Sequence, residues 1–261
     1  MSTGAHPLPP LIPTITSTDD MIKSDGIASA ASALRYWERR QEVAANNLAN
    51  ATTDGFKAER VFARLIGESL PAADAVTDRR SGTLRPTGQP LDLAIDGDGF
   101  FVVATSEGER WTRGGAFTLD PQGYLVDADG FRAAGERGPI RVTRDAQDRE
   151  ILPERIAIDR SGLVSVNGVG VDRLRVERGA PTGSLTHTSG MHYVPDEARS
   201  QVPLAERDVR QHTIEESNVN TVSTLVDLIA VQRNYAFAQK VLTTLDGVRS
   251  TITNDLGKAT A

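Results

Sequence analysis

Two helical patterns bracket this chain, and the residues between them follow another period. From Ser24 onward Ile27, Ala30, Leu34, Trp37, Ala44 and Leu48 recur at alternating steps of three and four, with Gln41 as the polar member of the row. That spacing predicts an amphipathic helix with a heptad seam, in which a single polar residue can fix register. Ser24 or Asp25 offers a capping acceptor at its start, and the helix is expected to close within Ala45–Lys57, where Thr52-Thr53-Asp54-Gly55 supplies a stop.

A second, longer run opens at Glu216-Ser217-Asn218-Val219-Asn220, with Asn220 as its cap, and lasts almost to the final residue. Leu228, Val231, Tyr235, Ala238, Leu242, Leu245, Ile252 and Leu256 keep a 3.5-residue spacing broken by Arg249. Apolar residues extend beyond that seam: Val222, Leu225, Ile229 and Ala236 flank it, and Val226, Phe237, Val241 and Val248 lie behind it. A helix apolar nearly all round must be buried, and Asp227, Gln232, Arg233, Asn234 and Lys240 exclude lipid as the burying medium. The first helix, about 33 Å from Ile27 to Leu48, cannot cover a second of about 54 Å. Neighbouring subunits are the expected cover.

Between the helices the pattern is that of short strands and tight turns. Leu91–Asp96 alternates apolar and polar residues, Phe100-Phe101-Val102-Val103 follows the turn Asp96–Gly99, and Asp120-Pro121-Gln122-Gly123 is a strong turn. Asp120-x-x-Gly123-Tyr124-Leu125-Val126 is echoed at Asp159-x-x-Gly162-Leu163-Val164-Ser165, as two hairpins of one β unit would be. The expected fold is therefore α+β: terminal helices paired as a coiled coil around an all-β middle. Residues 1–23 read as a disordered Pro-rich leader, with Met21 a candidate start. Residues 24–57 plus 215–261 read as the helical assembly part, 58–80 as a connector, 81–178 as the β middle, and 179–214 as a linker back to the helical end.

Composition narrows the function. A net charge of −6 without any basic stripe, together with 5% aromatic residues, argues against nucleic acid as a partner. With no cysteine, disulfides and thiolate metal sites are excluded. No segment reads as a membrane span, and the N-terminal stretch lacks the basic start and unbroken apolar core of a secretory signal. Export, if it occurs, is expected to proceed without a cleaved signal.

Candidate chemistry is sparse. Asp96–Gly99 and Asp127–Gly130 open like calcium loops but lack the later ligands and closing Glu, and read as hairpin turns. His6, His187, His192 and His212 lack zinc-site spacing and read as solvated loop residues. Gly97-Asp98-Gly99 and Gly114-Gly115 open no helix and so match no nucleotide fingerprint. Glu215 and Glu216, just ahead of a helix cap, read as complements to the helix dipole. No catalytic, metal or cofactor site is expected. The amides Asn46, Asn47 and Asn50 cluster at the end of a helix that amides do not favour; capping and an interface role both remain open for them.

At these residues a resemblance becomes specific. Ala45-Asn46-Asn47-Leu48-Ala49-Asn50-Ala51 followed by Gly55-Phe56-Lys57 resembles the N-terminal signature of bacterial flagellar basal-body rod and hook axial proteins. Ile95-Asp96-Gly97-Asp98-Gly99-Phe100-Phe101, Thr112-Arg113-Gly114-Gly115-Ala116-Phe117 and Ser217-Asn218-Val219-Asn220 with Gln232-Arg233-x-Tyr235 agree with that family in order and separation. The resemblance implies a non-enzymatic subunit of the periplasm-spanning rod. It would be exported through the flagellar type III apparatus without a cleaved signal and polymerise with itself and with other rod and hook proteins. The short stretch between Phe56 and Gly97 and the small middle look more like the proximal-rod protein than the distal-rod or hook ones, which remain the alternatives. The implied assembly residues are Asn46, Asn47, Leu48, Asn50, Gly55 and Phe56 in front and Asn218, Asn220, Gln232 and Tyr235 behind, joined by the seam and flank positions Leu34, Trp37, Leu228, Ile229, Leu242 and Leu245. A peptidoglycan-acting enzyme and a free homo-oligomeric coiled coil are rivals from other classes.

Overall fold

A computed structural model describes residues 18–66, 69–142, 152–180, 185–188, 191–195 and 197–259. Helix α1 runs Thr18–Ala49 and helix α2 Thr221–Ala259, and the two pack along each other. Helix α1 starts ahead of the expected Ser24 cap. The leader before Thr18 and His6 lie outside the described residues. Helix α1 stops at Ala49 rather than nearer Lys57. Tight backbone bonds (Ala51 N–H to Leu48 O, Thr53 N–H to Asn50 O) then coil the chain into Gly55, whose φ of +74° turns it away.

The seam forms as the spacing demands. On α2, Val231 and Ala238 are buried and Leu228, Tyr235, Leu242, Leu245 and Ile252 half-buried, while Arg249 is exposed; the Leu256 side chain lies outside the described residues. On α1, Ala30 and Ala44 are buried and Ile27, Leu34, Trp37, Gln41 and Leu48 half-buried. Asn47 of α1 and Asn218, just before α2, both bond the chain at Ala58–Glu59, so the end of α1 and the start of α2 share one root. From there the helices run antiparallel.

The β body fills the space between the helices in sequence. Its first strands, β1 (Glu59–Ile66) and β2 (Ser69–Thr77), form an antiparallel hairpin against α1, in the region that reads as a connector from sequence. Next come β3 (Leu84–Pro86), β4 (Leu93–Ile95), β5 (Phe100–Thr105) and β6 (Gly108–Thr112). Strands β5 and β6 pair at the middle of a nine-stranded antiparallel-paired sheet of mostly two- to five-residue strands, and Ile156–Ile158, Leu163–Val166 and Val169–Arg173 make a separate three-stranded sheet. The return segment is itself strand-bearing. His192–Val194 pairs with β6, Val209–Gln211 with β4, and Thr213–Glu215 with β3, which closes the body beside the root of α2.

Three Asp-x-x-Gly turns recur in the body, at Asp120, Asp127 and Asp159. In each the aspartate carboxylate accepts backbone N–H groups two and four residues on, and the glycine N–H returns to the aspartate carbonyl. The echo in the sequence is thus a repeated turn. A tighter two-residue turn, Asn167-Gly168, with φ of 50° and 81°, joins two strands of the small sheet and leaves Val169 70% exposed. The main core gathers Leu91, Leu93, Ile95, Phe101, Val103 and Leu174 with their neighbours. A second cluster stacks Phe100 on Trp111 at 5.4 Å, with Tyr193 beside them.

Candidate assembly surface

The signature residues at the end of α1 meet the signature residues before α2 at the shared root. Asn47 grips Glu59 with both ends of its amide, donating to the Glu59 carbonyl at 2.8 Å and accepting its N–H at 2.9 Å. Asn218 accepts the Ala58 N–H at 2.7 Å and donates to the carbonyls of Asp78 and Arg80, so it clasps both ends of the β1–β2 hairpin. Asn220 caps α2, its side chain accepting the Ser223 N–H at 2.9 Å. Asn50 donates back to the Asn46 carbonyl and accepts from Thr53. The amide cluster therefore divides: Asn47, Asn50, Asn218 and Asn220 are engaged within the chain, whereas Asn46 is exposed.

Beneath these clasps lies a buried ion cluster. Glu215 is fully buried, its two carboxylate oxygens taking Lys57 Nζ at 2.5 Å and Arg113 at 2.8 Å. Lys57 also donates to the Arg80 carbonyl, and Arg113 to the carbonyls of Ile95 and Gly97 while lying over the Phe100 ring. Burial pushes the Lys57 ammonium below its ordinary pKa, with Glu215 pulling the other way. The expected dipole role of Glu215 is corrected here: pairing of Thr213–Glu215 with β3 carries its side chain inside, before the helix begins. Glu216 stays at the surface and pairs with Arg85 at 2.8 Å. Gly55 completes the junction, because a Cβ there would sit 2.5 Å from the Arg113 backbone, and its N–H donates to the Glu215 carbonyl. Phe56 is buried next to it.

Away from the root, α2 turns its second apolar row outward. Val222 (75% exposed), Val226, Ile229, Phe237 (70%) and Val248 are exposed there, and Arg233, Gln232 and Lys240 are exposed among them. The outer side of α1 is different: Glu38, Glu42, Ala45 and Asn46 are exposed there, and Arg39 pairs with Glu42. Where α2 leaves the root, a cleft of about 520 Å³ opens between the helices and the hairpin. Val43, Ala44, Val61 and Phe62 line it, and the pairs Arg40–Asp227 and Arg60–Asp78 ring it.

Two of the histidines depart from the solvated reading, while His212 is exposed as expected. His192 is buried, with Nε2 2.7 Å from Asp127, and His187 lies edge-on to Phe56 and Tyr193. Both are placed by short strands, Thr186–His187 and His192–Val194, that the periodicity of the sequence does not announce. Asp127 is committed to that histidine and to its own turn, and among the described residues no group of three or more His, Asp or Glu side chains is arranged to hold a metal. No described helix is long and apolar enough to cross a membrane.

Comparison with known proteins divides the chain along the same lines. The family model described as flagella basal body rod protein matches residues 27–57, the flagellar hook protein FlgE/F/G D1 domain matches 94–166, and the C-terminal part of the flagellar basal body rod FlgEFG proteins matches 210–256. The chain is 31% identical over 243 residues to the flagellar basal-body rod protein FlgF of Escherichia coli K12, covering 84% of this chain and 93% of that protein. It is 29% identical over 233 residues to FlgF of Caulobacter vibrioides, with the same two coverages. To the flagellar basal-body rod protein FlgG of Bacillus subtilis 168 it is 28% identical over 255 residues, covering 87% and 97%.

Proposed function

The chain belongs to the flagellar basal-body rod family of FlgE, FlgF and FlgG type, a structural and non-enzymatic family, and from that membership we propose that it is a subunit of the proximal rod. The helix pair is the inner, assembling part, and the β body is the outer part. Copies interlock with one another and with other rod and hook proteins around a bore, and the chain reaches its place through the flagellar type III apparatus without a cleaved signal.

The observation that carries this reading is the outward apolar row of α2. Covering it with neighbouring subunits removes apolar surface from water at roughly 25 cal/mol per Å², against the ordering and association costs of assembly. In this proposal Leu34, Trp37, Leu48, Leu228, Tyr235, Leu242 and Leu245 build the pair, Asn47, Asn50, Gly55, Phe56, Asn218 and Asn220 set its root, and Asn46, Ile229 and Gln232 face the next subunit. The proximal position is favoured by the brevity of the stretch between Phe56 and Gly97, a hairpin and two short strands, and by the small β body.

Mass spectrometry of detergent-purified basal bodies, with hooks separated off, tests the proposal. Recovery in the rod fraction at a fixed, low stoichiometry is expected. Recovery with the hook alone would move the subunit along the axis, and absence from both would overturn the assignment.

A further inference from the structure

The helix pair and the β body meet at a root, and what fixes the angle between them is the question the buried ions answer. Lys57 lies eight residues beyond the last residue of α1, and Glu215 six residues before the first residue of α2. Arg113 immediately follows β6, at the middle of the body. Six directional bonds converge there. Glu215 takes Lys57 and the Gly82 N–H on one oxygen and Arg113 on the other, Lys57 reaches the Arg80 carbonyl, and Arg113 reaches the carbonyls of Ile95 and Gly97. All three side chains are at most 1% exposed.

An ion cluster this deep is a weak source of stability, because desolvating three charges offsets much of their attraction and apolar residues of similar volume often hold a fold as well. What apolar residues do not supply is direction. A carboxylate with two different cations and a backbone N–H on its two oxygens admits one orientation of the three segments that carry them. The amides of Asn47 and Asn218 tie the helices to the hairpin, whereas the ion cluster joins both helix roots, through side chains, to Arg113 at the centre of the body.

We propose that Lys57, Arg113 and Glu215 are positioning residues that lock the helix pair at one fixed angle to the β body, so that the chain enters an assembly as a single rigid lever rather than as two units on a hinge. The inference concerns the free chain and stands apart from the rod position proposed above.

The absence of cysteine makes the test clean, since two introduced cysteines carry the only spin labels. Labels at the exposed positions Ser106 and Gln239 report the body-to-helix distance. Ser106 with Asn167 reports the body alone, and Glu38 with Gln239 the helix pair alone. By pulsed dipolar spectroscopy on the monomer, the native chain should give one narrow body-to-helix distance. In the triple variant Lys57→Met, Arg113→Met, Glu215→Leu, the two internal distances should persist while the body-to-helix distance loses its single narrow peak. A body-to-helix peak that stays narrow alongside unchanged internal distances would overturn the proposal. Should the triple variant fail to fold, Glu215→Gln decides: near-isosteric and uncharged, it should broaden the same distance with the internal ones intact, and a narrow peak would overturn the lock.

Discussion

Trp111 and Phe237 are both large aromatic residues, and they live in opposite circumstances. Trp111 lies at the middle of the β body with none of its surface exposed, stacked on Phe100 and donating its indole N–H to Glu177 at 3.0 Å. Phe237 stands on α2 with most of its surface in water. The same division runs through the whole chain. The body closes its core within one molecule and leaves only scattered residues such as Phe62 and Val169 exposed, among the described ones, whereas the helix pair closes one seam and leaves a whole second row open. A domain that is meant to remain monomeric rarely keeps such a row uncovered. The body's core is complete within the chain, and the outward row of α2 is the surface that the proposed assembly would cover.

Substitutions should separate the two regions, and the largest effect is expected inside the body. Trp111→Ala removes a fully buried ring and its hydrogen bond, and should lower the body's unfolding free energy by about 3–5 kcal/mol in denaturant titration. In the seam, Val231→Ala deletes two buried carbons facing α1 and should cost about 1.5 kcal/mol. That loss should appear in hydrogen exchange of the helices and leave the protection of the body unchanged.

Acid should weaken the body more than the helix pair, by a smaller margin. Hydrogen bonds from Arg175 and Arg199 hold the Glu109 carboxyl below its ordinary pKa, and those from Arg80 do the same for Asp78 at the hairpin root. A carboxyl held low in the folded state contributes stability that is present above its unfolded pKa and lost as pH falls through its folded pKa. Thermal melts should therefore be flat at neutral pH and fall on acidification below the unfolded values of 4.5 for Glu109 and 3.8 for Asp78. Asp78→Asn and Glu109→Gln should blunt that fall. The smallest effect on the monomer is expected at Phe237→Asp, within about 0.5 kcal/mol of the native chain by thermal melting. The same variant should nevertheless be absent from purified basal bodies; its normal incorporation would remove the outward row from the interface.

The contrast also explains what the sequence could and could not reveal. The α2 seam is legible residue by residue because a heptad is local: each member lies three or four positions from the next. The turns at Asp120 and Asp159 are legible for the same reason, since the carboxylate, the N–H groups that donate to it and the glycine sit within five residues. The ion cluster is not, because Lys57 and Glu215 are 158 positions apart and Arg113 and Glu215 are 102 apart. Nothing near Glu215 distinguishes it from Glu216, and only the pairing of its strand with β3 turns one inward and the other out. The return segment from 179 to 214 hides its strands because they are two or three residues long, too short to show a period. The start of the hairpin at 59–77 hides for another reason: exposure alternates along Glu59-Arg60-Val61-Phe62, with Arg60 and Phe62 exposed and Glu59 and Val61 half-buried, but polarity does not.

The turn at Asn167-Gly168 has a practical side. It joins two short strands of the small sheet, its glycine has open space where a Cβ would be, and it lies far in sequence from both helix roots and from the outward row. A peptide tag or fluorogenic loop spliced between those two residues would need no room inside the body and would touch neither the seam nor the ion cluster. It is the place to attach a beacon by which a single subunit could be followed into the growing structure.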